Sequence, residues 1–69
     1  MNSISLNDSF QRRLFIERLD KAEIRLRTGN LNEYDKSFIE GLRQNYDLLG
    51  HSMKISRRQM NWLLNLATG

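Results

Sequence analysis

The strongest local helix signal in this chain lies in Ile55-Ser56-Arg57-Arg58-Gln59-Met60-Asn61-Trp62-Leu63-Leu64-Asn65-Leu66-Ala67. Ser56 and Gln59 have the spacing of a capping box, in which the serine hydroxyl accepts from the glutamine backbone N–H and the glutamine side chain reaches back to the serine amide. Ile55 and Met60 have the spacing of a hydrophobic staple across the same cap. The pattern predicts a helix that follows Ser56.

The first turn of this helix contains Arg57 and Arg58. Cations there face the positive end of the helix dipole, which costs a few tenths of a kcal/mol up to about 1 kcal/mol each. Together with Lys54, Ser56 and Trp62 they predict a site for a phosphate or a carboxylate of a partner. Trp62 lies one turn beyond Arg58, where indole and guanidinium can stack. A second interpretation makes this tryptophan an additional core anchor.

The chain has 69 residues, enough for one small domain with a limited core. It contains no cysteine, so disulfide bonds and thiolate metal sites are excluded. The N-terminal residues lack the basic start and apolar run of a signal peptide, and no stretch approaches the roughly 20 apolar residues of a membrane span. We therefore expect a soluble cytoplasmic protein, located in the host cytoplasm if its source is viral.

Proline is absent and β-branched residues are few, which favours helices over strands. Gly29 and Gly50 lie where helix C-caps are expected. The apolar periodicity predicts an all-α fold, a small three-helix bundle with helices from Asp8 to Thr28, from Asn32 to Leu49 and from Arg57 to Ala67. The chain is then a single helical domain, with residues 1–6 as a loose N-terminal arm.

The second predicted helix has the cleanest apolar stripe, formed by Tyr34, Phe38, Leu42, Tyr46 and Leu49 with Ile39 beside them. This stripe predicts that the second helix packs against both others. Gly41 lies beside the stripe in mid-helix, where glycine costs about 1 kcal/mol relative to alanine, and a close helix crossing is the predicted compensation. The predicted core is built around Leu19, Leu26, Phe38, Leu42, Leu63 and Leu64.

The first predicted helix has two apolar lines. Its predicted core face is the stripe of Phe15, Leu19, Ala22 and Leu26, and the second line, on roughly the opposite side, is formed by Phe10, Leu14 and Ile24. One interpretation is that these residues cover another edge of the same small core. The other interpretation is that they form a surface that binds a second copy of the chain or a different partner. Self-association would make the protein a homo-oligomer. The pattern leaves both interpretations open.

Catalytic chemistry has no support in the residues present. The single histidine, His51, lies in a predicted loop with no acid to orient it, so no catalytic triad can be assembled. One histidine without cysteine cannot furnish a zinc site, and the glycines do not form a phosphate-binding loop. We expect a protein that is not an enzyme and that has no cofactor and no metal.

Two classes of function remain, binding to nucleic acid and binding to another protein, and the charge distribution bears on both. The net charge is +3, from 11 basic and 8 acidic residues, and residues 51–69 carry three basic groups and no acidic one. This segment permits phosphate contacts with nucleic acid. The modest net charge and the acidic middle helix favour instead a module that binds another protein. Membrane binding is not indicated, because no helix pairs a basic face with a wide apolar one.

The second half of the chain resembles a helix pair found in small phage-encoded and replication-associated accessory proteins. The resemblance covers residues 31–66 and rests on an aromatic-acidic opening and a later Ser-x-basic-Gln helix start, in Leu31-Asn32-Glu33-Tyr34-Asp35-Lys36-Ser37-Phe38-Ile39 and Ile55-Ser56-Arg57-Arg58-Gln59-Met60-Asn61-Trp62-Leu63. It implies a viral or mobile-element accessory or inhibitor protein that binds a host or viral macromolecule. It supplies no catalytic residues.

Overall fold

The computed structural model describes residues 3–29 and 31–68 and shows three helices packed together with a small two-stranded sheet. The helices are α1 (Ser9–Thr28), α2 (Glu33–Leu49) and α3 (Arg57–Thr68). The strands are β1 (Ser3–Ser5) and β2 (Lys54–Ser56), and a short 3₁₀ turn (Gly50–Ser52) follows α2. The predicted three-helix bundle is confirmed, with each helix boundary within one residue of its prediction.

The helices begin and end where the sequence supplies caps. Asp8 caps α1, because its carboxylate accepts from the backbone N–H of Phe10 at 2.9 Å. Asn32 caps α2 and accepts from the N–H of Asp35 at 2.8 Å. Gly29 is the C-cap of α1, and its φ of 82° lies in the left-handed region that favours glycine.

The N-terminal segment corrects the sequence prediction. A loose arm is predicted over residues 1–6, but Ser3–Ser5 forms β1 and pairs antiparallel with β2, with Ile4 opposite Ile55. Residues 1 and 2 lie outside the described part of the chain. The prediction of an all-helical chain therefore missed the two strands.

Leu6 shows why this segment is ordered. Its side chain is fully buried, and its backbone N–H donates to the carbonyl oxygen of Met53 at 3.0 Å. Burying a leucine stabilises a fold by about 1.5–3 kcal/mol, whereas fixing each residue costs about 1–2 kcal/mol of backbone entropy, so the pairing with β2 and the half-buried Ile4 must contribute as well. Leu6 belongs to the apolar core, and Ile4 packs against it.

α1 is the central helix of the bundle. It packs along much of α3 and more locally against α2, while α2 and α3 approach each other less closely. Phe15, Leu19 and Ala22 on α1 are fully buried, so this face of the helix forms part of the apolar core. α2 does contact both other helices, as predicted, but it meets α3 mainly through the stacking of Phe38 on Trp62, and α1 is the common partner instead.

The apolar core draws on all three helices, on β2 and on the connecting segments. It consists of Leu6, Phe15, Leu19, Ala22, Leu31, Ile39, Leu42, Met53, Ile55, Met60, Leu63 and Leu66. Half of the predicted core residues are in this cluster, and the others, Leu26, Phe38 and Leu64, are half-buried. In α3 it is Leu66 that takes the buried place predicted for Leu64.

α2 departs most from its predicted packing. Tyr34 and Leu49 belong to the predicted stripe, yet both are exposed. Gly41 marks no close crossing, because a Cβ built at this position would meet nothing within 4 Å. That prediction is wrong, and among the described residues nothing compensates the cost of about 1 kcal/mol that a mid-helix glycine carries.

Candidate binding site at the start of α3

The start of α3 is fixed by the capping box and by the sheet before it. The backbone N–H of Gln59 donates to the Ser56 hydroxyl oxygen at 3.0 Å, and the Ser56 N–H donates to the Gln59 side-chain oxygen at 3.1 Å. Ile55 and Met60, the predicted staple pair, are both buried. The predicted cap is confirmed, and packing on both sides of it determines where α3 begins.

Arg57 and Arg58 are the first two residues of α3, as predicted, and both are exposed. Within residues 3–29 and 31–68, neither side chain forms an ion pair. The first turn contains no acidic residue. Both cations therefore present their charge to solvent at a helix end that is already electropositive.

A shallow groove opens beside Arg57, between α1 and α3. We call it the α1–α3 groove; it has a volume of about 320 Å³ and is lined by Ile4, Gln11, Leu14, Arg18, Arg57, Met60 and Asn61. Its apolar members are buried or half-buried and form the floor. Charge is supplied by Arg18 and Arg57.

Arg18 is a site residue that the sequence did not indicate. It is half-buried on α1 and makes no ion pair in the part of the chain that the structure describes. Its place beside Arg57 depends on the packing of α1 against α3. The position of Arg18 in the sequence of α1 does not predict that it lies close to Arg57.

Trp62 lies away from the groove and joins α3 to α2. Its ring stacks on Phe38, with the ring centroids 3.8 Å apart and the planes 8° from parallel. Its Nε1–H donates to a carboxylate oxygen of Asp35 at 3.0 Å. The stacking partner is thus Phe38 and not Arg58, and this arrangement agrees with the core-anchor interpretation, although 37% of the tryptophan is exposed.

The two remaining members of the predicted anion site have different surroundings. Lys54 is exposed on β2, opposite Ser5 of β1. The Ser56 hydroxyl oxygen is engaged in the capping box. The Ser56 hydroxyl therefore caps α3, whereas Lys54 places a solvated positive charge near the start of this helix.

The predicted self-association line is divided by the fold. Phe10 and Ile24 are exposed, at 64% and 52%, and lie about 21 Å apart along α1 at 1.5 Å per residue. Leu14 is half-buried and contributes to the α1–α3 groove. The structure thus brings Leu14 together with Arg57, a residue of the other predicted surface.

Two further arginines of α1 have structural partners. Arg25 donates to the carbonyl oxygen of Leu66 at 2.8 Å and so satisfies an acceptor in the last turn of α3. Arg12 donates to the carbonyl oxygen of Leu6 at 3.2 Å. Both contacts tie α1 to neighbouring segments, so these two cations are explained without a ligand.

A compensated charge cluster connects α1 to α2. The Arg43 guanidinium donates to both carboxylate oxygens of Glu23, at 2.9 and 2.7 Å, and to Asp20 at 3.1 Å. The hydrogen bond from Arg43 lowers the pKa of Glu23, partly opposed by burial, and the same bond raises the pKa of Arg43. This bidentate pairing stabilises the contact between the two helices.

Comparisons with protein-family models, curated proteins and solved structures give no match for this chain. Among the described residues, no group of three or more acidic or histidine side chains is placed to hold a metal ion. None of the helices so described is both long enough and apolar enough to cross a membrane. The α1–α3 groove, which combines Arg18 and Arg57 with an apolar floor, is the candidate site of the protein.

Proposed function

We propose that the protein is a small non-enzymatic module that binds another protein, and that the α1–α3 groove receives an acidic, partly apolar segment of that partner. The observation that carries the proposal is the pairing of Arg18 and Arg57 with an apolar floor that includes Leu14 and Met60. A guanidinium can donate two hydrogen bonds to one carboxylate, while an aliphatic side chain of the partner covers the floor.

The composition of the groove favours a protein partner over nucleic acid. A phosphate backbone requires cations and gains little from an aliphatic floor, whereas non-specific binding of single strands uses aromatic side chains on which bases stack. The residues that line the groove include no aromatic side chain. The nearest candidate in sequence, Trp62, has Phe38 on its ring instead.

A nucleic-acid-binding accessory protein is the second candidate. Lys54, Arg57 and Arg58 are all exposed around the start of α3, where backbone N–H groups favour an anion. Such a site contacts phosphates and carries little other binding energy. Its affinity therefore falls steeply as salt increases.

The assignment to phage or mobile-element accessory proteins, with inhibition of a host or viral protein as the task, is part of the proposal. It is supported by the resemblance of residues 31–66 alone. It determines the material for the test, which is a lysate of the bacterial host.

The test is a pull-down from that lysate with the wild-type chain and with a groove variant, Arg18→Glu plus Arg57→Glu. The matched control is Arg13→Glu plus Lys21→Glu, which makes the same change in net charge at two exposed positions of α1 outside the groove. We expect the wild type and the control to retain one partner protein that the groove variant loses. Nuclease treatment and moderate salt should leave this partner bound.

A direct measurement separates the second candidate. Fluorescence anisotropy with a labelled DNA duplex, between about 50 and 200 mM salt, reports phosphate-driven binding as a steep loss of affinity. Nuclease-sensitive capture together with that salt dependence would replace the proposal by the nucleic-acid function. An equal loss of partner in the groove variant and in its control would show that net charge, and not the groove, determines binding.

A further inference from the structure

The outer face of α2 carries no charge. At about 100° per residue, Tyr34, Ser37, Asn45 and Leu48 lie within about 40° of Gly41 around the helix. Tyr34 and Leu48 are the most exposed large apolar side chains of the described chain, at 82% and 83%. We call these five residues the α2 face.

Two more apolar side chains border the α2 face. Leu49 is exposed at the end of α2. Trp62 of α3 is partly exposed and stacks on Phe38 of α2. Together with Tyr34 and Leu48 they offer on the order of 400 Å² of accessible apolar surface. Tyr34 and Leu48 lie fourteen residues apart, about 21 Å along the helix, so this apolar surface is divided between the two ends of the α2 face. Exposed apolar patches at both ends of one helix face indicate an interaction surface.

We propose that the α2 face binds the same face of a second copy of this chain, as an antiparallel helix pair that crosses at Gly41. Tyr34 and Leu48 lie seven positions before and after this glycine, and Ser37 and Asn45 lie four positions before and after it. A two-fold antiparallel pair brings each residue before the crossing opposite its counterpart after the crossing. Tyr34 then packs on Leu48 of the other copy at both ends, and the small polar residues meet between them.

Gly41 permits the close approach of the two helices. Its φ is not positive, so no turn or left-handed conformation requires a glycine at this position. A Cβ here would meet nothing within 4 Å, so the backbone is open on this side. A helix without a side chain at the crossing point allows the second helix to come nearer and to pack against its backbone.

Area and charge set the strength of the pair. About 400 Å² of apolar surface per copy with a polar rim lies at the low end of specific interfaces, which indicates a weak dimer. Glu33, Glu40 and Asp47 follow one border of the face, and two-fold symmetry places this border beside itself. Salt should therefore tighten the dimer by screening like charges.

The dimer surface and the α1–α3 groove share no lining residue. A dimer built through α2 therefore carries two unobstructed grooves, which lets it bind a repetitive or dimeric partner with increased avidity. The inference does not depend on the proposed function, because self-association is measured without the partner.

Analytical ultracentrifugation of the full chain, from about 10 μM to 1 mM, tests the dimer. Leu48→Glu should raise the dimer Kd at least about 10-fold, because a charge then lies opposite the ring of Tyr34. Ile24→Glu is the matched control, since it makes the same kind of change at an exposed position of α1; we expect less than about a 2-fold change. Leu48 is exposed, so its replacement leaves the fold intact, as circular dichroism should show.

Gly41→Leu distinguishes a close crossing from general stickiness. The leucine adds apolar surface and helix propensity, so a merely adhesive face would associate more tightly. A close crossing predicts a dimer at least about 10-fold weaker, in a chain that melts at a higher temperature.

Cysteine cross-linking tests the register, because the chain has no cysteine of its own. A mixture of Ser37→Cys and Asn45→Cys chains should form the mixed disulfide in preference to either homodisulfide, since an antiparallel crossing at Gly41 brings these two positions together. A chain that stays monomeric to about 1 mM overturns the proposal. Three other results also overturn it. The Gly41→Leu chain could dimerise more tightly than the wild type, or Ile24→Glu could dissociate the dimer while Leu48→Glu leaves it intact. The third is that the cysteine variants form homodisulfides in preference to the mixed disulfide.

Discussion

The half of the molecule formed by the sheet, α1 and α3 is stabilised differently from α2. In the first half, Leu63 and Ile55 are almost completely buried, while the first turn of α3 carries two cations at an unfavourable helix end. The first turn of α2 carries Glu33 and Asp35 behind a good cap, which suits its dipole. Yet α2 leaves several of its large apolar side chains in solvent.

The difference shows which interactions determine the position of each helix. α3 tolerates poor electrostatics because the buried staple and the sheet hold its start. α2 is attached through fewer buried side chains, and Arg43 adds its bidentate bond to Glu23 on α1. Amphipathic periodicity alone therefore did not reveal which helix is best packed.

The largest expected effects come from a matched pair of core substitutions. Leu63→Ala and Leu42→Ala should each cost about 2–5 kcal/mol, with Leu63→Ala in the upper part of that range because α3 has the denser packing. A domain of this size has a total stability of about 3–10 kcal/mol, so Leu63→Ala should unfold much of it. Urea denaturation followed by circular dichroism measures both.

The comparison between the two parts of the molecule is contradicted if Leu42→Ala lowers stability more than Leu63→Ala does. A larger loss for Leu42→Ala would make α2 the better packed helix. A harmless Leu42→Ala would remove this residue from the core altogether.

The next effect concerns the first turn of α3. Arg57→Glu plus Arg58→Glu should raise stability by about 1–2 kcal/mol, because acidic residues then face the positive end of the dipole as they do in α2. The melting temperature should rise by roughly 4 °C or more. Partner binding through the α1–α3 groove should be lost at the same time.

The control for this variant is again Arg13→Glu plus Lys21→Glu, which lies beyond the first turn of α1 and should give no comparable gain. Stability lost with binding intact would assign the two arginines a structural role. Unchanged partner affinity would leave them as solvated charges.

A smaller effect is expected at the charge cluster between α1 and α2. Glu23→Gln should cost about 0.5–1 kcal/mol near neutral pH, because the pair is partly solvated. The pKa of Glu23 is lowered from 4.5 by the hydrogen bond from Arg43. Its contribution is therefore present above the unfolded pKa and is lost as pH falls through the lower folded pKa.

Urea titrations from pH 7 down to acid, on the wild type and on Glu23→Gln, measure this contribution. The two stability curves should approach each other below the pKa of the unfolded carboxyl group and converge once the pH is below the lowered folded-state pKa of Glu23. A constant gap between the curves at all pH values would show that the carboxylate charge contributes nothing.

The helix boundaries could be predicted from the sequence because caps are local. Asn32 and Ser56 each identify a helix start within a few residues, and both caps are present. The strands were missed because each has only three residues and their pairing joins distant parts of the chain. The alternation in Ser3-Ile4-Ser5-Leu6 was the available signal, and it is too short to predict a strand without its partner.

The candidate site was predictable only in part. Arg57 could be found because a cation at a helix start conflicts with the dipole, which is a local property. Arg18 and the floor of the α1–α3 groove arise from helix packing. Trp62 illustrates the same limit, because its stacking partner, Phe38, belongs to another helix.

The smallest expected effect returns to α2. Gly41→Ala should raise the stability of the monomer by about 0.4–1 kcal/mol, because alanine restricts the unfolded chain and the added Cβ meets no atom within 4 Å. Gly29→Ala is the contrasting control: its φ of 82° is strained for alanine, so that change should destabilise the fold. Thermal melts at low micromolar concentration keep the chain monomeric. A Gly41→Ala variant less stable than the wild type under these conditions would show that α2 packs against its own chain at this position, and that the open space above Gly41 is filled in solution.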